Sequence, residues 1–258
     1  MGSMKEAFFE MQQKKCDKWI TENYPDAEEG TREFETAEQQ YCRFQDWMEE
    51  TEEQLHFEAS LASIPDRLKA AIDELCELER VMQYNQPKIV ERMAYVHCVS
   101  VLDSFLMFSA SALLSHPPHL KRFLQHAGSF VRKSDRGALL DPKWKEQEPE
   151  VDTPEKIFIC RAKALVGKKT FQSHKTIKHY FSTMLTTKHE WPIQEIERLI
   201  KVRNSLVHRS GITELLEPVY VSTGSVQSAI CTVRAFIDLA AETLMLEDAL
   251  YRTGDEKF

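Results

Sequence analysis

Apolar residues recur at spacings of three and four through most of the chain, while the two-residue alternation of a half-buried strand is scarce. This pattern predicts an all-α protein. It places helices over residues 5–22, 35–62, 66–84, 88–115, 118–126, 154–165, 171–185, 192–208 and 225–251. Pro65, Pro87 and Pro154 sit where proline suits a first helical turn, and Pro117-Pro118 ends the longest apolar run. Residues 216–222, Leu-Glu-Pro-Val-Tyr-Val-Ser, form the one short strand-like stretch. Between 128 and 152 the chain turns polar and carries Gly137, Pro142 and Pro149, which predicts an exposed loop or insertion.

The apolar run over 95–114 approaches membrane-spanning length. It contains His97, Asp103 and several serines, and its flanks lack basic and aromatic anchors, so it reads as a buried central helix with no membrane role. At the other extreme, the first 60 residues are acidic and amphipathic, with Phe34, Tyr41, Phe44, Trp47 and Leu55 as a potential apolar stripe. A helix pair laid on the common core and a separate partner-binding module both fit that stripe. The expected organisation is a vector-derived remnant over 1–3, an N-terminal helical extension over 4–84, and a main helical domain over 85–258 with the insertion at 128–152.

Composition narrows the class. With 258 residues, 42% of them hydrophobic, the chain can bury a large core and is not disordered as a whole. The six cysteines, Cys16, Cys42, Cys76, Cys98, Cys160 and Cys231, are widely scattered without a CxxC pair or a recognisable leader, which predicts reduced thiols in the cytoplasm. The formal charge of −8 argues against generic nucleic-acid binding, but its distribution is bipolar. Residues 5–58 hold 16 acidic and 6 basic side chains, whereas 157–209 hold 11 basic and 3 acidic. No phosphate-binding loop, dinucleotide fingerprint, GxSxG or HExxH occurs, and no cofactor or metal is expected.

The chemistry concentrates at the end of the helix predicted over 192–208. Glu195 and Glu197 lie in its first turns, and Lys201, Arg203, His208 and Arg209 lie towards its end, with Gly211 as a C-cap. Cations suit the negative end of a helix dipole, so Arg203 and His208 could serve that purpose alone. Their arrangement offers more. Asn204 and His208 are four residues apart and share a face, and the long Arg203 side chain leaves one position round and can curl to the same opening. A guanidinium grips phosphate oxygens, an amide orients, and an imidazole moves a proton near neutral pH.

Arg203-Asn204-Ser205-Leu206-Val207-His208 resembles the Rx4-6H motif of the HEPN superfamily, in the form of an arginine, a polar residue, three further residues and a histidine. The resemblance implies an all-α, usually dimeric bundle. It further implies a metal-independent endoribonuclease of the toxin–antitoxin, phage-defence or RNA-processing kind, with Arg203, Asn204 and His208 as catalytic residues and RNA as substrate. The order of elements fits over about 88–251, leaving the first 80 residues and the insertion without a counterpart. Such a site activates the 2′-hydroxyl against its own phosphate, giving a 2′,3′-cyclic phosphate and a free 5′-hydroxyl, and DNA resists. One imidazole does not readily act as both base and acid, so a homodimer with facing motif helices is expected. The acidic N-terminal region is a candidate dock for a regulatory or antitoxin partner. A non-catalytic HEPN-like module binding nucleic acid or protein is the alternative.

Four further expectations concern supporting groups. Asp103, in an apolar helix, needs a cation or donor: either a structural pair or a contact that orients Arg203. Lys168, Lys169, Lys175, Lys178 and Arg209 are candidate RNA-backbone contacts, although Lys175 and Lys178, beside His174 and His179, also suit a solvated basic face. His116, His119 and His126 cluster in sequence, but the intervening prolines break helical geometry and no ligand set accompanies them. Tyr95 and His97 are weaker candidates for the same orienting role as Asp103.

Overall fold

The computed structural model describes residues 4–131 and 154–252. Among these the elements are all helical: α1 (Met4–Asn23), α2 (Arg32–Ser60), α3 (Ile64–Val81), α4 (Lys88–Leu113), α5 (Pro117–Phe130), α6 (Pro154–Gly167), α7 (His174–Met184), α8 (Ile193–His208) and α9 (Thr223–Arg252). Most of the expected 128–152 insertion lies outside the described residues. The strand expected over 216–222 does not form. Pro218, which has no N–H to donate, instead makes an isolated antiparallel bridge with Ile212 inside a tight loop.

The chain packs as two units, residues 1–59 and 60–258. The first is an α1–α2 pair with a core of its own, in which Cys16, Ile20, Ala37 and Tyr41 are buried under Trp19, Tyr24 and Phe34. Trp19 stacks on Phe44, and Phe44 lies against Trp47, so aromatic residues of the expected stripe serve this pair. The expected boundary at residue 84 therefore moves to 59/60. The reason is α3: Ile64, Ala71, Leu75 and Met82 are buried in the large core of the second unit.

In that unit α3, α4 and α9 pack against one another, and α4 also meets α6 and α8. α3 starts cleanly because Ser63 accepts from the Asp66 N–H and Pro65 occupies its first turn. α4 has the length and apolarity of a membrane span, yet most of its apolar face is covered by neighbouring helices, from Ala94 through Leu106 to Leu113. Burying a side chain such as Leu106 stabilises the fold by about 2 kcal/mol. The start of α8 is pinned by Trp191, which packs on Phe181 and Phe236 and donates from Nε1 to Thr243 Oγ1 at 3.2 Å. The start of α9 is pinned by Glu91 of α4, buried, which accepts from the N–H and hydroxyl of Thr223 at 3.0 Å each. Hydrogen bonds from Lys88 and Thr223 hold that carboxyl below the usual range against the cost of burial.

Candidate active site

α8 is amphipathic. Ile196 and Ile200 turn into the core, and Glu197, Lys201, Asn204 and His208 follow one another at helical spacing along the other side. Glu197 and Lys201 are paired at 2.7 Å, and His174 of α7 approaches Glu197 at 3.7 Å. The helix ends at His208, but the turn that follows differs from the expected glycine cap. Arg209 is the cap residue, and two left-handed residues follow it, Ser210 (φ 52°) and Gly211 (φ 88°). The Ser205 carbonyl accepts from both Arg209 N–H (3.1 Å) and Gly211 N–H (2.9 Å). This reversal brings the chain back beside the helix it has just left.

Residues 211–219 then form a hairpin-like loop. Val219 N–H donates to the Gly211 carbonyl and Thr213 N–H to the Glu217 carbonyl, both at 2.8 Å. The Thr213 hydroxyl accepts from the N–H groups of Leu215 (3.3 Å) and Glu217 (3.1 Å), which shapes the tip. Between this loop and the end of α8 lies an open groove of about 610 Å³, lined by Lys201, Asn204, Ser205, His208, Arg209, Thr213 and Glu214 among others. Its size falls within the range of ordinary ligand pockets.

Of the three motif residues, Asn204 and His208 line this groove together, as their four-residue spacing predicts. His208 is exposed and has no hydrogen-bond or ion-pair partner among the described residues. Arg203 does not line the groove. Its position, about 100° round the helix from Asn204, leaves the side chain half-buried, with Nε shielded from solvent and unpartnered among the described residues. Its Nη1 donates to Asn204 Oδ1 at 3.1 Å. That bond fixes which end of the amide Arg203 occupies and leaves the Asn204 NH₂ as a donor for the groove.

Asp103 does not pair directly with Arg203. Its carboxylate accepts from Phe171 N–H and from Gln172 Nε2 (2.7 Å), tying α4 to the segment before α7. Burial raises its pKa. The two donors and, at longer range, the Arg203 charge pull it back. The structural alternative for Asp103 thus describes its contacts, with Arg203 as a neighbouring charge. Of its two weaker companions, His97 pairs with Glu74 at 2.7 Å, and burial pushes the Tyr95 phenol up to about 12.

The basic candidates separate. Arg209 is not a free phosphate contact: its Nη2 holds Glu214 Oε1 at 3.1 Å across the turn. Lys169 is also committed, half-buried against the Phe130 and Tyr180 rings with Nζ donating to the Phe130 carbonyl at 3.2 Å, and burial lowers its pKa. Lys168, Lys175 and Lys178 are exposed and have no ion pair among the described residues. Lys178 lines a different groove at the start of α8, with His174, Glu195 and Glu197. Eleven residues of helix separate Glu197 from His208, about 16 Å at 1.5 Å per residue, so Lys178 flanks the motif at a distance.

Two charged groove residues, Lys201 and Glu214, were not among the candidate site residues. Lys201 was legible in principle, since it precedes Asn204 by three and His208 by seven, the repeat of one helix face. Glu214 was not, because it reaches the groove only through the left-handed turn at Ser210 and Gly211.

A second histidine cluster has a different character. His119 and Glu247 are both fully buried and 3.2 Å apart, and Glu247 also accepts from the N–H and hydroxyl groups of Thr186 and Thr187. His116 meets Asp248 at 2.7 Å, and Arg252 meets the other Asp248 oxygen at 2.7 Å. Burial opposes ionisation of Glu247, yet the nearby His119 ring and hydrogen bonds from Thr187 and Thr186 hold its carboxyl well below the usual range. His116 and His119 fasten the end of α9 to the start of α5, and Glu247 fastens it to the segment after α7.

Comparison of the chain with family models, with curated proteins and with solved structures gives no match.

Proposed function

We propose that this protein is a metal-independent endoribonuclease of HEPN type, a helical bundle whose active groove lies at the C-terminal end of α8. The reading is carried by one observation: Asn204 and His208 share an open groove with Lys201, and Arg203 fixes the Asn204 amide from behind. In this scheme Lys201 and the Asn204 NH₂ hold the scissile phosphate and neutralise its developing charge. Arg203 acts as a positioning residue, and His208 transfers a proton at the leaving 5′-oxygen. The product ends are a 2′,3′-cyclic phosphate and a 5′-hydroxyl. Lys168, Lys175 and Lys178 guide the flanking RNA backbone.

The partners follow from the same reading. Val207, Ile212, Leu215, Leu216 and Tyr220 are large apolar side chains left exposed around the groove, which suits burial against a second copy of the chain. The biological role is that of a cytoplasmic toxin or phage-defence effector. The acidic α1–α2 unit is the proposed site for a regulatory or antitoxin protein.

The test is incubation of single-stranded RNA with the full chain in excess chelator, comparing wild type with His208→Ala and Arg203→Ala. Cleavage to cyclic-phosphate ends that is lost in both folded variants supports the reading. Cleavage that survives both substitutions overturns it, and RNA binding without cleavage would indicate the non-catalytic module.

A further inference from the structure

General acid–base cleavage of RNA needs two proton-transfer groups, one for the 2′-hydroxyl and one for the 5′-oxygen, and the motif supplies one. The groove contains a second. Glu214 lines it together with Asn204 and His208, carried there by the 211–219 loop, and its side chain is 79% exposed. Arg209 engages Oε1 alone, which steadies the carboxylate without occupying its other oxygen. The charged groups that line the groove with it are Lys201 and His208 on α8 and Arg209 at the helix cap, and Glu217 follows three residues later on its own loop. Arg92 of α4 lies behind the turn, 3.8 Å from where a side chain on Gly211 would begin.

We infer that Glu214 is the general base of the proposed ribonuclease and that a single chain therefore holds the complete acid–base pair. This rests on the ribonuclease reading given above. The Glu214 carboxylate takes the 2′-hydroxyl proton as O2′ bonds to phosphorus, the P–O5′ bond breaks, and the leaving O5′ takes a proton from the His208 imidazolium. Glu214 then returns its proton to water and His208 regains one, so no oxidant, metal or co-reactant enters. The apolar surface around the groove remains available to a second copy, but a second imidazole is not needed for the chemistry.

The experiment uses the full chain and a short single-stranded RNA in chelator. It measures kcat, KM and the pH–rate profile for wild type, Glu214→Gln, Glu217→Gln and His208→Ala. The expected result is a fall of at least about 100-fold in kcat for Glu214→Gln with KM little changed and the acid-side limb of the profile lost. Glu217→Gln should match wild type. An equimolar mixture of Glu214→Gln and His208→Ala should stay inactive, because both groups act in one groove. Wild-type rates and an unchanged profile for Glu214→Gln, with His208→Ala inactive, would overturn the inference and leave the ribonuclease reading standing. So would restored cleavage in the mixture, which places the two groups on different copies. Cleavage indifferent to His208→Ala removes both.

Discussion

Two regions of the main unit combine histidine with carboxylate, and they are opposites. At the end of α9, His119 and Glu247 are fully buried and the carboxylate is saturated by four threonine donors besides the imidazole. At the end of α8, His208 is exposed and unpartnered among the described residues, and Glu214 has one contact. A buried carboxylate must be satisfied or pay the desolvation penalty, so the saturation of Glu247 is the signature of a fastening, although the His119 ring nitrogens make no hydrogen bond among the described residues beyond their 3.2 Å approach to it. Groups that converge on open space with spare donors and acceptors are available to a ligand. Histidine alone does not distinguish the two; the state of its neighbours does.

The contrast can be broken first at His208. His208→Ala should cost RNA cleavage about 100-fold to 10,000-fold while leaving thermal stability within about 0.5 kcal/mol, as measured by single-turnover kinetics and a melt. Glu247→Ala should do the reverse. Removing one partner of a buried pair costs about 3–5 kcal/mol, which lowers the melting temperature by roughly 10 °C in a unit of this size. An unaltered melt would show that the α9 network is no fastening.

Acid should act on the two regions unequally. Because the folded Glu247 carboxyl is held below its unfolded value, its contribution is complete above the unfolded carboxylate range near 4.3. That contribution fades as pH falls through the lower folded value. Urea midpoints for wild type and Glu247→Gln should therefore differ most at neutral pH and converge in strong acid. A constant gap would contradict the assignment.

Two smaller effects sharpen the groove. Gly211→Ala meets no crowding, since the nearest atoms to the added carbon lie at 3.8 Å, but it forces a side chain onto φ 88°. The cost should be about 1–2 kcal/mol, with reduced cleavage as the Glu214 loop shifts. Replacing Lys168, Lys175 or Lys178 by glutamine should weaken RNA binding a few-fold and lower the salt-dependence slope by about 0.7 each. Lys169→Gln should leave the slope alone and affect stability, because that ammonium is spent on Phe130 and Tyr180.

The sequence by itself determined the helical class, the central place of α4 and the shared face of Asn204 and His208. Each depends on a period of 3.6 residues that a chain displays locally. It could not place the boundary at residue 84 correctly, because the α3 pattern says that a face is buried without saying against which core. It also could not foresee that Arg203 turns behind Asn204, that Arg209 is committed to Glu214, or that Asp103 is spent on Phe171 and Gln172. The last two pairings join residues from different elements or from either side of a left-handed turn, and the first depends on the side-chain direction that Arg203 takes in the packed helix. Only the packed bundle brings a loop carboxylate at 214 into the same groove as the imidazole at 208, since that approach depends on the backbone reversal at Ser210 and Gly211 rather than on any repeat along the chain.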